Sequence, residues 1–138
     1  MYAALDKALA LRTAPLFASL PTADLLPVAN LCTEISLDAG DVLFREGDMG
    51  DAMYVVVRGN VTVERDGEIL ATLGCGECVG EMAALDWLPR SATVAAAEPS
   101  TLFRLDRHDL LDLLIDHPIL AENLATVMAA RVRRSNRA

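Results

Sequence analysis

The chain has 138 residues, of which 53% are hydrophobic, 4% aromatic and 23% charged; this matches one compact domain with an aliphatic core and excludes a disordered segment. Its 20 acidic and 12 basic residues give a net charge of −8, and Arg131, Arg133, Arg134 and Arg137 cluster at the C-terminus, so the acidic remainder would repel a nucleic-acid backbone and direct DNA binding by this chain is not expected. No apolar stretch approaches the roughly 20 residues needed to cross a bilayer, and no secretion signal opens the chain, which points to a soluble, cytoplasmic protein.

Residues 1–32 read as two or three short helices. Leu5, Leu9 and Leu11, then Leu16, Phe17 and Leu20, then Leu25, Leu26, Val28, Ala29 and Leu31 supply apolar faces, punctuated by Pro15, Pro21 and Pro27. Thr22 is the expected cap of the last of these helices, with Asp24 in its first turn.

Residues 33–106 change to short β-type runs: 34–37, 42–45, 53–58, 61–65, 69–73, 91–97 and 101–105. Turn residues separate them, and Asp66-Gly67 between two alternating runs signals a type I′ hairpin, which requires positive φ at both central residues. Seven or eight strands at this spacing predict an antiparallel barrel or jelly roll. Residues 107–138 are helical again. Asp106 is the expected N-cap, His117-Pro118 breaks the pattern, and Leu120, Leu124, Val127 and Met128 mark the apolar face of a second closing helix, facing either the pocket or a second subunit. A homodimer through that helix is one expected partner arrangement. The terminal arginines are read as complementing its C-terminal dipole, RNA or acidic lipid being the alternative.

Cys32, Cys75 and Cys78 make an odd count that argues for reduced thiols. Cys75-Gly-Glu-Cys78 has a metal or redox spacing but no second ligand pair, and His108 and His117 are too far apart for an i, i+4 ligand pair. No metal is expected.

One stretch within the β region departs from alternation. Met82–Leu85 is a single helical turn between a strand ending at Gly80 and one starting near Ser91. Gly80 permits close backbone approach, and the helix start presents free amides suited to an anion. Arg90 is placed to bind a phosphate bidentately in the same hollow, Ser91 adds a hydroxyl, and Glu81 suits a neutral hydroxyl pair such as a ribose edge. The bland alternative makes Arg90 a surface arginine paired with Asp86 or Glu81. Trp87, at the tip of this loop, is expected to be partly buried against the barrel rather than stacked on a base or partner.

Gly80-Glu81-Met82-Ala83-Ala84, a spacer, and Pro89-Arg90-Ser91-Ala92-Thr93-Val94 closely resemble the phosphate-binding cassette of the cyclic nucleotide-binding domain family. Leu43-Phe44-Arg45-Glu46-Gly47-Asp48, Gly50-Asp51, Met53-Tyr54-Val55-Val56 and Gly59-Asn60-Val61 resemble its glycine-punctuated first strands. The resemblance implies a mainly β fold: an antiparallel, jelly-roll-like β-roll (33–106, cassette 79–92) between N-terminal helices (1–32) and two C-terminal helices (107–138). It implies that Glu81 binds the ribose 2′-hydroxyl and Arg90 the cyclic phosphate, with backbone groups of Gly80, Met82, Ala83, Ser91 and Ala92 completing the cradle. Val79, where the family often carries an aromatic residue, and Leu73 are the base-pocket candidates. Ala84 replaces the larger aliphatic of many members and implies modest coupling to the closing helices. The implied ligand is cyclic AMP, with cyclic GMP the alternative, and the implied role is regulatory, with the effector unidentified. No nucleophile–base pair or metal-ligand set supports an enzyme. The rival expectation is an interaction domain that keeps the fold without sensing nucleotide.

Overall fold

The computed structural model describes residues 2–135; Arg137 of the basic tail lies outside them. Helices α1 (Ala4–Leu11) and α2 (Thr22–Leu31) open the chain, and the segment between them turns repeatedly to bury Leu16, Phe17 and Leu20. Thr22 does not cap α2. Pro21 holds the cap position without a side-chain bond, and the Thr22 hydroxyl instead accepts from Arg12. Pro27 lies inside α2, where its missing N–H forfeits one intrahelical bond.

Two four-stranded antiparallel sheets follow. One is ordered β1 (Thr33–Leu37), β8 (Ser100–Asp106), β3 (Ala52–Arg58), β6 (Cys78–Val79); the other is β2 (Val42–Phe44), β7 (Thr93–Ala96), β4 (Val61–Arg65), β5 (Glu68–Leu73). The β-roll with flanking helices is therefore present. Asp66 (φ 54°) and Gly67 (φ 77°) form the hairpin between β4 and β5. The returning strand begins at Thr93 rather than Ser91, because the Ser91 carbonyl is taken by Arg65 Nε at 2.9 Å instead of by a neighbouring strand.

Strand period 2 divides the core. Along β3 and β8, Met53, Val55, Phe103 and Leu105 enter a cluster with the helices, whereas Ala52, Tyr54, Val56 and Leu102 enter the roll interior with Val61, Leu73, Val79 and Val94. The alternation continues in β6, which turns Cys78 outward to the helices and Val79 inward to the roll.

Helix α3 (Glu81–Asp86) interrupts the roll, and α4 (Arg107–Asp116) and α5 (Pro118–Ser135) close the chain. Asp106 occupies the N-cap position of α4 but makes no capping bond; its carboxylate pairs with Arg104. Leu120 and Leu124 are buried in the chain's own core and Met128 packs against it. These residues anchor α5 rather than capping the cassette, and a second copy would have to use other positions on the helix. Among the described residues no helix is long and apolar enough to cross a membrane.

All three cysteines are free, Cys75 exposed and the others buried. Burial pushes the Cys32 and Cys78 thiols up to about 12. A thiol reagent at neutral pH is expected to label Cys75 alone. Unfolded thiols ionise near 9.0 while the folded ones keep their protons, so stability falls as pH rises from there towards 12. Denaturant midpoints at about pH 8 and about pH 10.5 check this: the fall should shrink in Cys78→Ala, and an equal fall in both proteins would contradict it.

Candidate functional site

Gly80 sets the geometry of the cassette. It has φ 76°, and a Cβ there would collide with Arg90 Nη1, so glycine is needed both for the left-handed backbone and for the approach of the arginine. Arg90 is only 3% exposed. Its Nη1 donates to the Gly80 carbonyl at 2.7 Å and its Nη2 to the Ala52 carbonyl at 2.6 Å, while its guanidinium lies 4.1 Å from the centroid of the Phe44 ring. The backbone is fixed as well: Arg90 N donates to Asp48 O at 2.6 Å, and its carbonyl accepts from Gly47 N at 2.9 Å. Arg90 is thus not a surface arginine paired with Asp86 or Glu81; its ion partner is Asp51 at 3.9 Å. Burial lowers its pKa from the usual arginine value, partly offset by Tyr54 and Asp51, and its Nε is buried without a partner.

Glu81 opens α3 and is 1% exposed. One carboxylate oxygen pairs with Arg131 of α5, which also donates to the Cys78 carbonyl. The other, Oε2, is buried with no partner. A buried orphan polar atom costs roughly 1–3 kcal/mol, so Arg90 Nε is left as a donor without an acceptor and Glu81 Oε2 as an acceptor without a donor.

Arg90 and Glu81 both line one cavity of about 160 Å³. Leu73, Val79, Gly80, Glu81, Met82, Ala83, Arg90, Ser91 and Ala92 all line it, so every residue expected at the site is brought to one hollow. Val79 and Ala92 are buried in its wall. Met82 is 60% exposed, which leaves its backbone as the useful part. Phe44, Val63, Val94 and Arg131 also line the cavity and were not expected there. The run Leu43-Phe44 was legible as a strand, but nothing local marked the ring as a platform for Arg90. Arg131 does not act as a dipole-complementing cation: the basic residues of the last turn of α5 are Arg133 and Arg134, whereas Arg131 crosses to Glu81.

Two further features depart from expectation or tighten the site. Trp87 is 57% exposed in a left-handed conformation (φ 53°), with Arg107 of α4 lying 5.1 Å from its ring centroid; the indole finds a cation rather than apolar cover. Gly50 touches the cassette so closely that a Cβ there would sit 2.6 Å from the Ala83 carbonyl carbon. Gly50→Ala is expected to push the cassette outward and cost about 1–3 kcal/mol, visible as a fall of several degrees in Tm; an unchanged Tm would contradict the close approach.

A family model described as "Cyclic nucleotide-binding domain" matches residues 34–117. The cyclic AMP receptor protein of Thermus thermophilus is 40% identical over 102 residues, covering 70% of this chain and 47% of that protein. A cyclic nucleotide-gated potassium channel of Rhizobium etli is 37% identical over 110 residues, covering 80% of this chain and 31% of the channel. Among solved structures, the regulatory domain of Toxoplasma gondii PKA co-crystallised with cAMP superposes with a TM-score of 0.70 at 33% identity, covering 78% of this chain and 43% of that one. The chain spans less than half the length of these curated relatives.

Proposed function

Since this chain belongs to the cyclic nucleotide-binding domain family, we propose that it is a regulatory sensor of a 3′,5′-cyclic nucleotide, cyclic AMP before cyclic GMP. The observation that carries this reading is the pair of unpartnered buried groups, Arg90 Nε and Glu81 Oε2, at one cavity. The cyclic phosphate lies against Arg90, whose charge is held in a desolvated position, and against the amides that open the cassette helix. The ribose 2′-hydroxyl donates to Glu81 Oε2. The base extends past Val79 and Leu73 towards α5.

Arg131 makes the site a switch. The cavity of about 160 Å³ is below the roughly 300–1,000 Å³ of ordinary ligand pockets, and Arg131 closes one side of it. Nucleotide entry therefore favours a different placement of α5, and occupancy is transmitted as a population shift set by the difference in affinity between the two placements. The helices of residues 1–32, the roll of 33–106 and the helices of 107–138 serve as one cytoplasmic sensing unit that acts by binding rather than turnover. Its effector lies in a longer protein or a separate chain.

A second reading, an interaction domain that does not sense nucleotide, draws on the exposed Trp87 and Leu88 at the cassette tip. Isothermal titration with cyclic AMP, cyclic GMP and 5′-AMP separates the two. Micromolar or tighter binding of a cyclic nucleotide, about −8 kcal/mol or better, with 5′-AMP much weaker, is the expected result; no heat and no change in Tm with any of them would favour the interaction domain.

A further inference from the structure

Arg131 borders more than the nucleotide cavity. On its other side a second cavity of about 250 Å³ lies between the turn after α1, the turn between β5 and β6, and α5. Leu16, Cys78 and Val127 give it apolar walls, and Arg131, Arg134 and Glu77 stand at its edge. Glu77 is engaged by its own turn, its Oε2 accepting the Gly74 amide at 2.8 Å. Arg134 is exposed and makes no ion pair among the described residues. An apolar hollow with an uncommitted guanidinium at its rim complements a small acid with an apolar body.

We propose that this cavity is a second ligand site, for a small organic acid with a short apolar tail, whose carboxylate sits on Arg134 while the tail lies against Leu16 and Val127. The site regulates the first one. Arg131 lines both cavities, and a carboxylate in the second competes with Glu81 for its guanidinium. Drawing Arg131 away opens the side of the first cavity that it closes, so the acid strengthens nucleotide binding, and by linkage nucleotide strengthens binding of the acid to the same degree. This coupling rests on the nucleotide reading above; the acid site itself does not.

The test uses octanoate as the probe, with octanamide as its uncharged counterpart, on the chain without nucleotide. Octanoate should bind about tenfold or more tightly than octanamide, and Arg134→Ala, a change at an exposed position outside the nucleotide cavity, should reduce that preference. Equal binding of the two probes, no binding of either, or unchanged octanoate binding in Arg134→Ala would overturn the acid site. Saturating octanoate should then lower the Kd for cyclic AMP by about threefold or more in the wild type, and by less at the same octanoate concentration in Arg134→Ala. Octanoate binding with no effect on a measurable cyclic AMP affinity would overturn the coupling. If cyclic AMP does not bind at all, the nucleotide reading and the coupling fall together, while the first comparison still decides the acid site.

Discussion

Arg90→Ala is expected to raise the Kd for cyclic AMP by roughly 10- to 150-fold, the loss of a charge-assisted contact of about 1.5–3 kcal/mol. The arginine also holds the Gly80 and Ala52 carbonyls, so the variant should lose several degrees of Tm as well. The two effects are separated by Arg90→Lys. Lysine keeps the charge but not the planar fork, and it is expected to lie between wild type and alanine in affinity. Titration read beside thermal unfolding checks this. Wild-type affinity in a folded Arg90→Ala would remove the arginine from the phosphate site.

The second large effect belongs to Glu81. Wild-type protein should prefer cyclic AMP to its 2′-deoxy analogue by roughly 10- to 150-fold, the value of about 1.5–3 kcal/mol for a hydroxyl donating to a carboxylate. Glu81→Ala should weaken cyclic AMP to the level of the deoxy analogue and abolish the preference. Because Glu81 is buried and Arg131 is 28% exposed, Arg131→Ala strands a carboxylate in the interior. It should therefore destabilise the apo protein by about 3 kcal/mol, at the lower end of broken buried pairs. In the double variant Glu81→Ala/Arg131→Ala the charge is gone and part of that stability should return, with a coupling energy in the range of about 0.5–3 kcal/mol. Additive losses would show that the pair is not a unit.

The features legible in the sequence share a local cause. The hairpin at Asp66-Gly67 is dictated by backbone conformations that two residues must adopt together. The cassette is set by Gly80 and the spacing from Glu81 to Arg90, so its residues reach one cavity. What was not legible depends on side chains from distant parts of the chain. Thr22 and Asp106 carry ordinary cap chemistry, but Arg12 and Arg104 capture them first. Nothing near Arg131 signals Glu81, which lies fifty positions away in sequence; the contact arises only once Leu120 and Leu124 have docked α5 into the core. Trp87 was expected to find apolar cover, and its left-handed backbone instead presents the ring to Arg107.

The acidic chain and its buried arginine fit together physically. Net charge of −8 disfavours non-specific capture of polyphosphates, while Arg90, desolvated and stacked on Phe44, would offer the proposed cyclic phosphate a donor that water competes for poorly.

The most direct test of the proposed sensor is a crystal structure of the chain grown with saturating cyclic AMP. The cyclic phosphate should lie within hydrogen-bond distance of the Arg90 guanidinium, the ribose 2′-hydroxyl on Glu81 Oε2, and Arg131 should be shifted from its apo position; a nucleotide seated elsewhere, or a cavity unchanged with Arg90 and Glu81 untouched, would contradict the proposed site.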